Sequence, residues 1–148
     1  MTPDSQPHFN ETQWLKLLFL LADTQTWLDD MSKEAFLHLP LPDKKKLMHK
    51  TYYLTAGALA HIIERHYYKI SRHPQAGKFH IPVIEIVQHI RDASMLTTKP
   101  VNGSLNFQRT LHTADIIGYD KDGQPASALT ILTDAGGRVI TAFPGTSV

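Results

Sequence analysis

The sequence predicts an α+β fold, with N-terminal helices followed by a helix-packed antiparallel β-sheet, a meander that ends in a C-terminal hairpin. Up to about residue 92, apolar residues recur every three or four positions, as on one face of a helix. After Ala93 they alternate or form short runs separated by Gly, Asp, Asn and Pro, as in strands. A chain of 148 residues, 42% hydrophobic and 20% charged, is typical of a single domain over residues 1–148.

A helical subregion is predicted over residues 10–48. A first helix starts at about Asn10 and reaches about Asp30, with a bend at "DTQT". The apolar residues that give it helical spacing are Trp14, Leu17, Leu18 and Leu21. "SKEAFLHL" adds one or two turns with Ser32 as the N-cap. "LPLP" ends this helix because proline has no amide hydrogen to donate, and "DKKKLMHK" then begins a short helix at Asp43.

The segment "TYYL" at residues 51–54 has two interpretations. Its β-branched and aromatic residues suit a strand, after which Thr55 caps a new helix, "AGALAHIIERHY". The alternative is one long helix over residues 43–68 that tolerates Gly57. We favour the break. Further along, Pro82 suits the first turn of a helix with the sequence "PVIEIVQHIRDA", which has one apolar and one polar face.

Five segments of the second half predict strands. They are "SMLTTKP", "SLNFQRTLHT", "DIIGYD", "ALTILTD" and "RVITAF". The "DAGG" between the last two predicts a tight hairpin turn, because glycine adopts the left-handed backbone conformation that such turns require. Residues 50–146 would form the core of the domain.

The composition argues against several classes of function. The chain contains no cysteine, which excludes disulfides, cysteine-ligated zinc and thiol catalysis. Its longest apolar run, "LKLLFLLA", is far shorter than the roughly 20 residues that span a bilayer. The start, "MTPDSQPHFN", lacks the cationic region of a signal peptide, and the phosphate-binding patterns "GxxxxGK" and "GxGxxG" are absent. We therefore expect a cytoplasmic protein with no membrane partner and no cofactor.

Positive charge is concentrated in one segment, although the net charge is only +1. Residues 43–80 contain eight Lys or Arg and two Asp or Glu. Residues 1–42 contain two Lys or Arg and six Asp or Glu. A local basic field attracts phosphates. The candidate RNA-binding residues are Lys44, Lys45, Lys46 and Lys50. The alternative is that these basic residues form an ordinary solvent-exposed surface, and that the acidic N-terminal segment balances their positive charge.

The same segment holds the stretch "ALAHIIERHYYKISRH", which is rich in histidine and arginine. On a helix with about 100° per residue, His66 falls within the apolar stripe and is directed toward the sheet. His61 and Arg65 form a neighbouring pair at the edge of that stripe. The five-residue spacing of His61 and His66 does not match the zinc-binding pattern "HExxH". The alternatives are a hydrogen-bonded core histidine for His66 and an ion pair with a nearby carboxylate for Arg65.

Two further candidates lie on predicted strands. Arg109 in "LNFQRTLHT" is in register with the apolar residues of its strand. An arginine on such an inward-facing row needs an anionic partner or a site at the edge of the sheet. Thr141 in "VITAF" alternates with apolar residues, which places its hydroxyl on that face, although threonine is common in strands without any such role.

The elements "HIIERH", "NFQRT" and the hairpin "LTILTDAGGRVITAFPG" together resemble the barnase–EndoU–colicin–RelE superfamily of small metal-independent ribonucleases, especially its phage and polymorphic-toxin branches. The resemblance covers roughly residues 50–146 and has no counterpart for residues 10–48. It implies one or two helices before an antiparallel sheet whose concave face holds the active site. Residue by residue, it assigns His61, Arg65 and His66 to "HIxxRH", Arg109 to a strand cation and Thr141 to a late-strand hydroxyl.

Cleavage of RNA without a metal requires a base, an acid and cations, which histidine and arginine supply. The predicted function is therefore a metal-independent endoribonuclease, toxin-like or phage-associated, with RNA as its substrate and, from the resemblance, a cognate inhibitor or immunity protein as a further partner. The alternative is a non-enzymatic nucleic-acid- or protein-binding module that uses the basic face of residues 43–80. No ligand spacing favours a metal-dependent hydrolase. Convergence of His61, Arg65, His66 and Arg109 on one open cleft would favour the enzyme.

Overall fold

The computed structural model of the protein describes residues 10–38, 40 and 52–146. The candidate RNA-binding residues Lys44, Lys45, Lys46 and Lys50 lie outside this range, as does the short helix predicted at Asp43. In the described part, helices precede two antiparallel sheets, which confirms the α+β class. None of the helices described is both long and apolar enough to cross a membrane.

The first helix, α1 (Glu11–Leu37), is continuous through "DTQT". The hydroxyls of Thr24 and Thr26 donate to the carbonyls of Leu20 and Ala22, at 3.2 and 3.1 Å, and are thereby accommodated inside the helix. Ser32 lies within the helix and is not the predicted N-cap. The side chain that caps the start of α1 belongs to Asn10, which accepts from the Gln13 amide at 3.1 Å.

The apolar residues of α1 divide between two sides of the helix. Leu18 and Ala22 are buried against the next helix, whereas Leu17, Leu21 and Trp27 are exposed. On the packed side, the Gln25 side chain accepts from the Ala56 amide at 2.7 Å and satisfies the first donor of that next helix.

The second helix, α2 (Ala56–His66), begins where the sequence predicts it. The Thr55 hydroxyl accepts from the Ala58 amide at 3.0 Å, which confirms Thr55 as the N-cap. Before it, the backbone is extended and Tyr53 bridges Arg138, so the break in "TYYL" is also confirmed in the described residues. The buried face of α2 consists of Leu59, Ala60, Ile62, Ile63 and His66, and it packs on the last strand of the sheet.

The strands form two sheets instead of the one that the sequence predicts. The larger has the order β2-β3-β6-β7, with strands Lys99–Pro100, Phe107–His112, Ala128–Thr133 and Val139–Pro144. The smaller has the order β1-β4-β5, with strands Lys78–Phe79, Gly118–Tyr119 and Pro125–Ala126. The "DIIGYD" segment therefore leaves the main sheet and supplies β4 to the smaller one. The hairpin at "DAGG" is confirmed, with Gly137 at a φ of 89°.

The third helix, α3 (Val83–Asp92), begins one residue later than predicted, with Pro82 as its N-cap. The first two residues of "SMLTTKP" belong to a 3-10 turn (Ala93–Met95), residues 96–98 are irregular, and only the last two residues form β2. The core between the helices and the sheets is filled by large apolar side chains that are fully buried: Ile62, Ile63, Phe79, Ile86, Ile90, Leu129 and Ile131.

The carboxylate of Glu11 links the three α-helices of the described residues. It accepts hydrogen bonds from the Tyr67 hydroxyl directly after α2, from the Val83 amide at the start of α3, at 3.4 Å, and from Lys69, also at 3.4 Å. Burial alone would raise the pKa of Glu11, but these hydrogen bonds and the charge of Lys69 outweigh it and hold the pKa below its ordinary value. The end of α2 is thereby held against both neighbouring helices.

Candidate functional site

A solvent-open cleft of about 460 Å³ lies at the C-terminal end of α2. One wall is α2 itself, and the next is the loop that connects α2 to β1. The other walls are the turn between β4 and β5 and the end of β7. The residues that line the cleft are His61, Arg65, His66, His73, Gln75, Ala76, Gly77, Asp120, Lys121, Asp122, Thr141, Phe143, Pro144 and Gly145.

Four of the five predicted catalytic residues therefore meet in one cleft: His61, Arg65, His66 and Thr141. Winding α2 as a helix predicts His66 on the apolar stripe and the His61 and Arg65 pair at its edge, but only the packing of α2 on β7 brings Thr141 to them. Arg109 is not among the lining residues. The three α2 residues therefore converge on one open cleft, as the enzyme hypothesis expects, whereas Arg109 does not join them.

His66 is a neutral histidine with one free ring nitrogen. Its side chain is buried, and Nδ1 lies 2.9 Å from the carbonyl oxygen of Gly77. Because a carbonyl only accepts hydrogen bonds, Nδ1 carries the hydrogen, and Nε2 is left with the lone pair. Burial lowers the pKa of His66 to about 4, against the opposing effect of the Gly77 hydrogen bond. His66 is thus both a hydrogen-bonded core residue and a potential base at the cleft.

His61 and Arg65 form the exposed rim of the α2 wall. Burial and the positive charge of Arg65 lower the pKa of His61 below its ordinary value, while Glu64 opposes them. Glu64 itself pairs with Arg72 at 2.9 Å. Among residues 10–38 and 52–146, no carboxylate lies within ion-pair distance of Arg65, so its guanidinium is available in the cleft.

Thr141 brings an unsatisfied hydroxyl to the cleft. Its Oγ1 is buried and has no hydrogen-bond partner in the described part of the chain. Thr130 on the neighbouring strand is the contrasting case, because its hydroxyl donates to the Gly145 carbonyl at 2.8 Å. Buried polar atoms are normally paired. The Thr141 hydroxyl is therefore placed to bond with a molecule that enters the cleft.

Arg109 has a different environment from the one that the sequence predicts. Its guanidinium lies over the ring of Tyr52, 4.6 Å from the ring centroid, and Nη1 donates to the Thr133 hydroxyl at 3.2 Å. Burial raises the pKa of Tyr52 to about 12, although Arg109 opposes it. A cation–π contact thus replaces the anionic partner that we expected for an inward-facing arginine.

Several lining residues were missed by the sequence analysis. His73 adopts a φ of 54° in the loop after α2, and Lys121 lies in the turn after β4. The Asp120 side chain accepts from the backbone amides of Asp122 and Gln124, at 2.9 and 3.0 Å, and so stabilises that turn. The pattern "DKDG" marks a turn in the sequence, but no local signal indicates that the turn faces α2.

Two residues of β1 and β4 hold the walls of the cleft in place. Lys78 Nζ donates to the carbonyls of Arg65, Ile70 and Arg72, at 2.8, 3.2 and 2.6 Å, and so binds the end of α2 to the loop that follows it. A Cβ atom on Gly118 would overlap the Lys78 carbonyl oxygen, so the close pairing of β1 with β4 requires glycine there. This pairing carries the turn at residues 120–122 to the cleft.

Comparisons with family models, curated proteins and solved structures all give no match. Within the described ranges, no group of three or more His, Asp or Glu side chains is arranged to hold a metal ion. The functional argument therefore rests on the chemistry of the cleft.

The depressed pKa of His66 predicts a loss of stability in acid. The unfolded chain protonates His66 near pH 6.5 and the folded protein only near pH 4, so stability from this group is complete above 6.5 and falls toward pH 4. A shift of this size corresponds to roughly 3 kcal/mol. Urea denaturation at pH 7 and pH 4 should show a steeper decline for the wild type than for His66→Gln. An identical fall in the free energy of unfolding between pH 7 and pH 4 in the two proteins would contradict this prediction.

The two threonines predict opposite responses to substitution by valine. Thr130→Val should lower the free energy of unfolding by about 1 kcal/mol, since the Gly145 carbonyl loses its buried donor. Thr141→Val should leave the free energy of unfolding unchanged or raise it, because it removes a hydroxyl without a partner. Urea denaturation of both variants, which have the same change in shape, measures the difference. Equal destabilisation would mean that Thr141 has a partner inside the protein.

Proposed function

We propose that the protein is a metal-independent endoribonuclease that cleaves RNA by attack of a 2′-hydroxyl on the adjacent phosphate. The observation that carries the proposal is the cleft in which His61, Arg65, His66 and the unpaired Thr141 hydroxyl lie together. This reaction needs a base, an acid and positive charge around the phosphorus, and no nucleophile from the protein, because the substrate supplies its own.

His66 is the proposed general base. Its low pKa keeps it neutral at physiological pH, and the Gly77 carbonyl fixes the hydrogen on Nδ1. Nε2 then removes the proton from the 2′-hydroxyl, and the 2′-oxygen attacks phosphorus. Because the imidazole is held by both burial and a hydrogen bond, it needs little reorganisation before the proton transfer.

His61 is the proposed general acid. As the bond between phosphorus and the 5′-oxygen breaks, His61 donates a proton to that oxygen, which leaves as a 5′-hydroxyl. The other product carries a 2′,3′-cyclic phosphate. His61 lies at the open rim, so its protonation can follow the solution pH, and a bound phosphate would favour its charged form.

Arg65 is the proposed phosphate ligand, because its guanidinium matches two phosphate oxygens. Lys121 can add a second positive charge from the opposite side, and the Thr141 hydroxyl can donate to a third oxygen. Asp120 and Asp122 line the same side as Lys121 and would repel a phosphate there, which favours binding against the α2 wall. Arg109 takes no part in this chemistry.

The resemblance to the barnase–EndoU–colicin–RelE superfamily is consistent with the role of α2 and the late-strand hydroxyl, and differs at Arg109. It remains the sole basis for two finer proposals: a toxin-like or phage-associated role, and a cognate inhibitor or immunity protein as a partner. A cytoplasmic location is proposed from the absence of cysteine. The lysines at residues 44–46 and 50 extend the proposal to RNA-backbone binding, on the basis of their charge.

Incubation with mixed RNA in EDTA tests the proposal. The protein should cleave and leave 2′,3′-cyclic phosphate ends, identified by end-group analysis. His66→Gln should slow cleavage by roughly 10²- to 10⁴-fold, since it removes proton transfer. Arg109→Lys is the matched control and should keep its rate per folded molecule. Activity lost on chelation and restored by zinc or magnesium would overturn the mechanism, and tight RNA binding without any cleavage would favour the binding module.

The pH dependence of kcat/KM tests the assignment of acid and base. The rate should rise with pH through about 4, as His66 loses its proton, and fall through the pKa of His61, which lies below 6.5. The maximum is therefore expected between pH 4 and 6.5, and His61→Ala should lose the alkaline limb. Initial rates on a short defined oligonucleotide across this range provide the measurement. A maximum above pH 7 would refute these roles.

A further inference from the structure

Three exposed rings form a cluster on the smaller sheet, outside the cleft. His80 stacks on Tyr68, with centroids 4.8 Å apart and planes at 21°, and meets Tyr119 edge-on at 5.2 Å. The two tyrosines are each 43% exposed, and His80 is exposed as well. We refer to Tyr68, His80 and Tyr119 as the aromatic platform.

Core packing does not require these rings. The neighbouring positions Tyr67 and Phe79 are fully buried and fill the interior on this side of the molecule. Tyr68 and His80 alternate with them and so face solvent. Exposed apolar rings that cluster together are unusual on a surface and indicate a binding site.

The platform is rigid, because its residues belong to paired backbone. The Tyr68 amide donates to the Phe79 carbonyl at 3.1 Å, and the His80 amide donates to the Ile117 carbonyl at 2.8 Å. Tyr119 lies opposite Lys78 in the β1–β4 pair. Aromatic rings fixed in this way lose little conformational freedom when a ligand binds.

The platform and the cleft lie on neighbouring stretches of backbone. The cleft residue Gly77 directly precedes β1, which is followed by His80, and the cleft residue Asp120 directly follows Tyr119 of β4. Tyr68 follows the cleft residue His66 by two positions. Lys69 places its ammonium 5.8 Å from the Tyr68 ring centroid and also pairs with Glu11 at 3.4 Å, so its charge beside the rings is partly neutralised.

We propose that the aromatic platform stacks an unpaired base of single-stranded RNA, next to the phosphate held in the cleft. The position of the base rests on the proposed function, whereas stacking itself does not require cleavage. Bases stack on aromatic side chains without strong sequence preference, since every base has a flat π face, and a duplex hides these faces. The platform thus selects unpaired RNA.

Binding of an uncleavable oligonucleotide tests this inference. The probe is a fluorescent single strand with 2′-O-methyl groups throughout, which keeps bases and phosphates but has no 2′-hydroxyl to attack. Tyr68→Leu and Tyr119→Leu should each raise Kd about tenfold, because leucine keeps the apolar bulk and removes the π face. Tyr53→Leu is the matched control, 44% exposed at the far end of β7, and should leave Kd unchanged.

Two further measurements separate stacking from other effects. The slope of log Kd against log salt should stay the same in the platform variants, because no phosphate contact is lost. Photocrosslinking of the wild type to a strand containing 5-iodouridine should label Tyr68 or Tyr119, a result that does not depend on the folding of any variant.

Unchanged Kd values in both platform variants, or crosslinks only at other residues, would overturn the inference. So would a wild type that does not bind the single strand, which would leave the platform as a surface for another protein. If the wild type binds through the platform but never cleaves ordinary RNA, the stacking site stands and the proposed ribonuclease activity fails. If the wild type cleaves ordinary RNA but the platform variants leave Kd unchanged, the proposed ribonuclease activity stands and the stacking site fails.

Discussion

The hydrogen bond between His66 Nδ1 and the Gly77 carbonyl is the constraint on which the site depends. It joins the last residue of α2 to the residue before β1 and closes the loop between them. Burial makes this bond costly to break, since the imidazole and the carbonyl would both be left unpaired. The same bond sets the tautomer of His66. One hydrogen bond therefore both closes the loop and leaves Nε2 with the lone pair that can accept a proton.

Much of the α2 wall could be predicted from the sequence because its determinants are local. Thr55 marks the start of the helix, and helical spacing alone separates His66 from the His61 and Arg65 pair. Arg109 shows where such reasoning ends. Its partner is the ring of Tyr52, brought near by the fold from far along the chain, and a rule that pairs buried arginines with anions does not anticipate it. The facing turn at residues 120–122 was missed for the same reason.

The strand predictions differ in the same way. The "DAGG" hairpin is set by a local turn and agrees with the structure. The "DIIGYD" segment has the composition of a strand, but composition does not determine which sheet it joins. That choice depends on contact with β1, which lies about 40 residues earlier in the chain. Likewise, Ser32 is of a residue type that favours N-caps, whereas α1 continues through this position to Leu37.

The close approach of β1 and β4 at Gly118 has a consequence for how this protein tolerates mutation. Gly118 is not a lining residue of the cleft, yet any side chain there would push apart the two strands that carry Gly77 and the turn at residues 120–122. A saturation scan scored by function would therefore group Gly118 with the active-site residues. Gly123 at the tip of the same hairpin has open space around it, but its φ of 77° is one that residues with a Cβ atom rarely adopt. Substitution is therefore restricted at the base of the hairpin by lack of space and at its tip by backbone conformation.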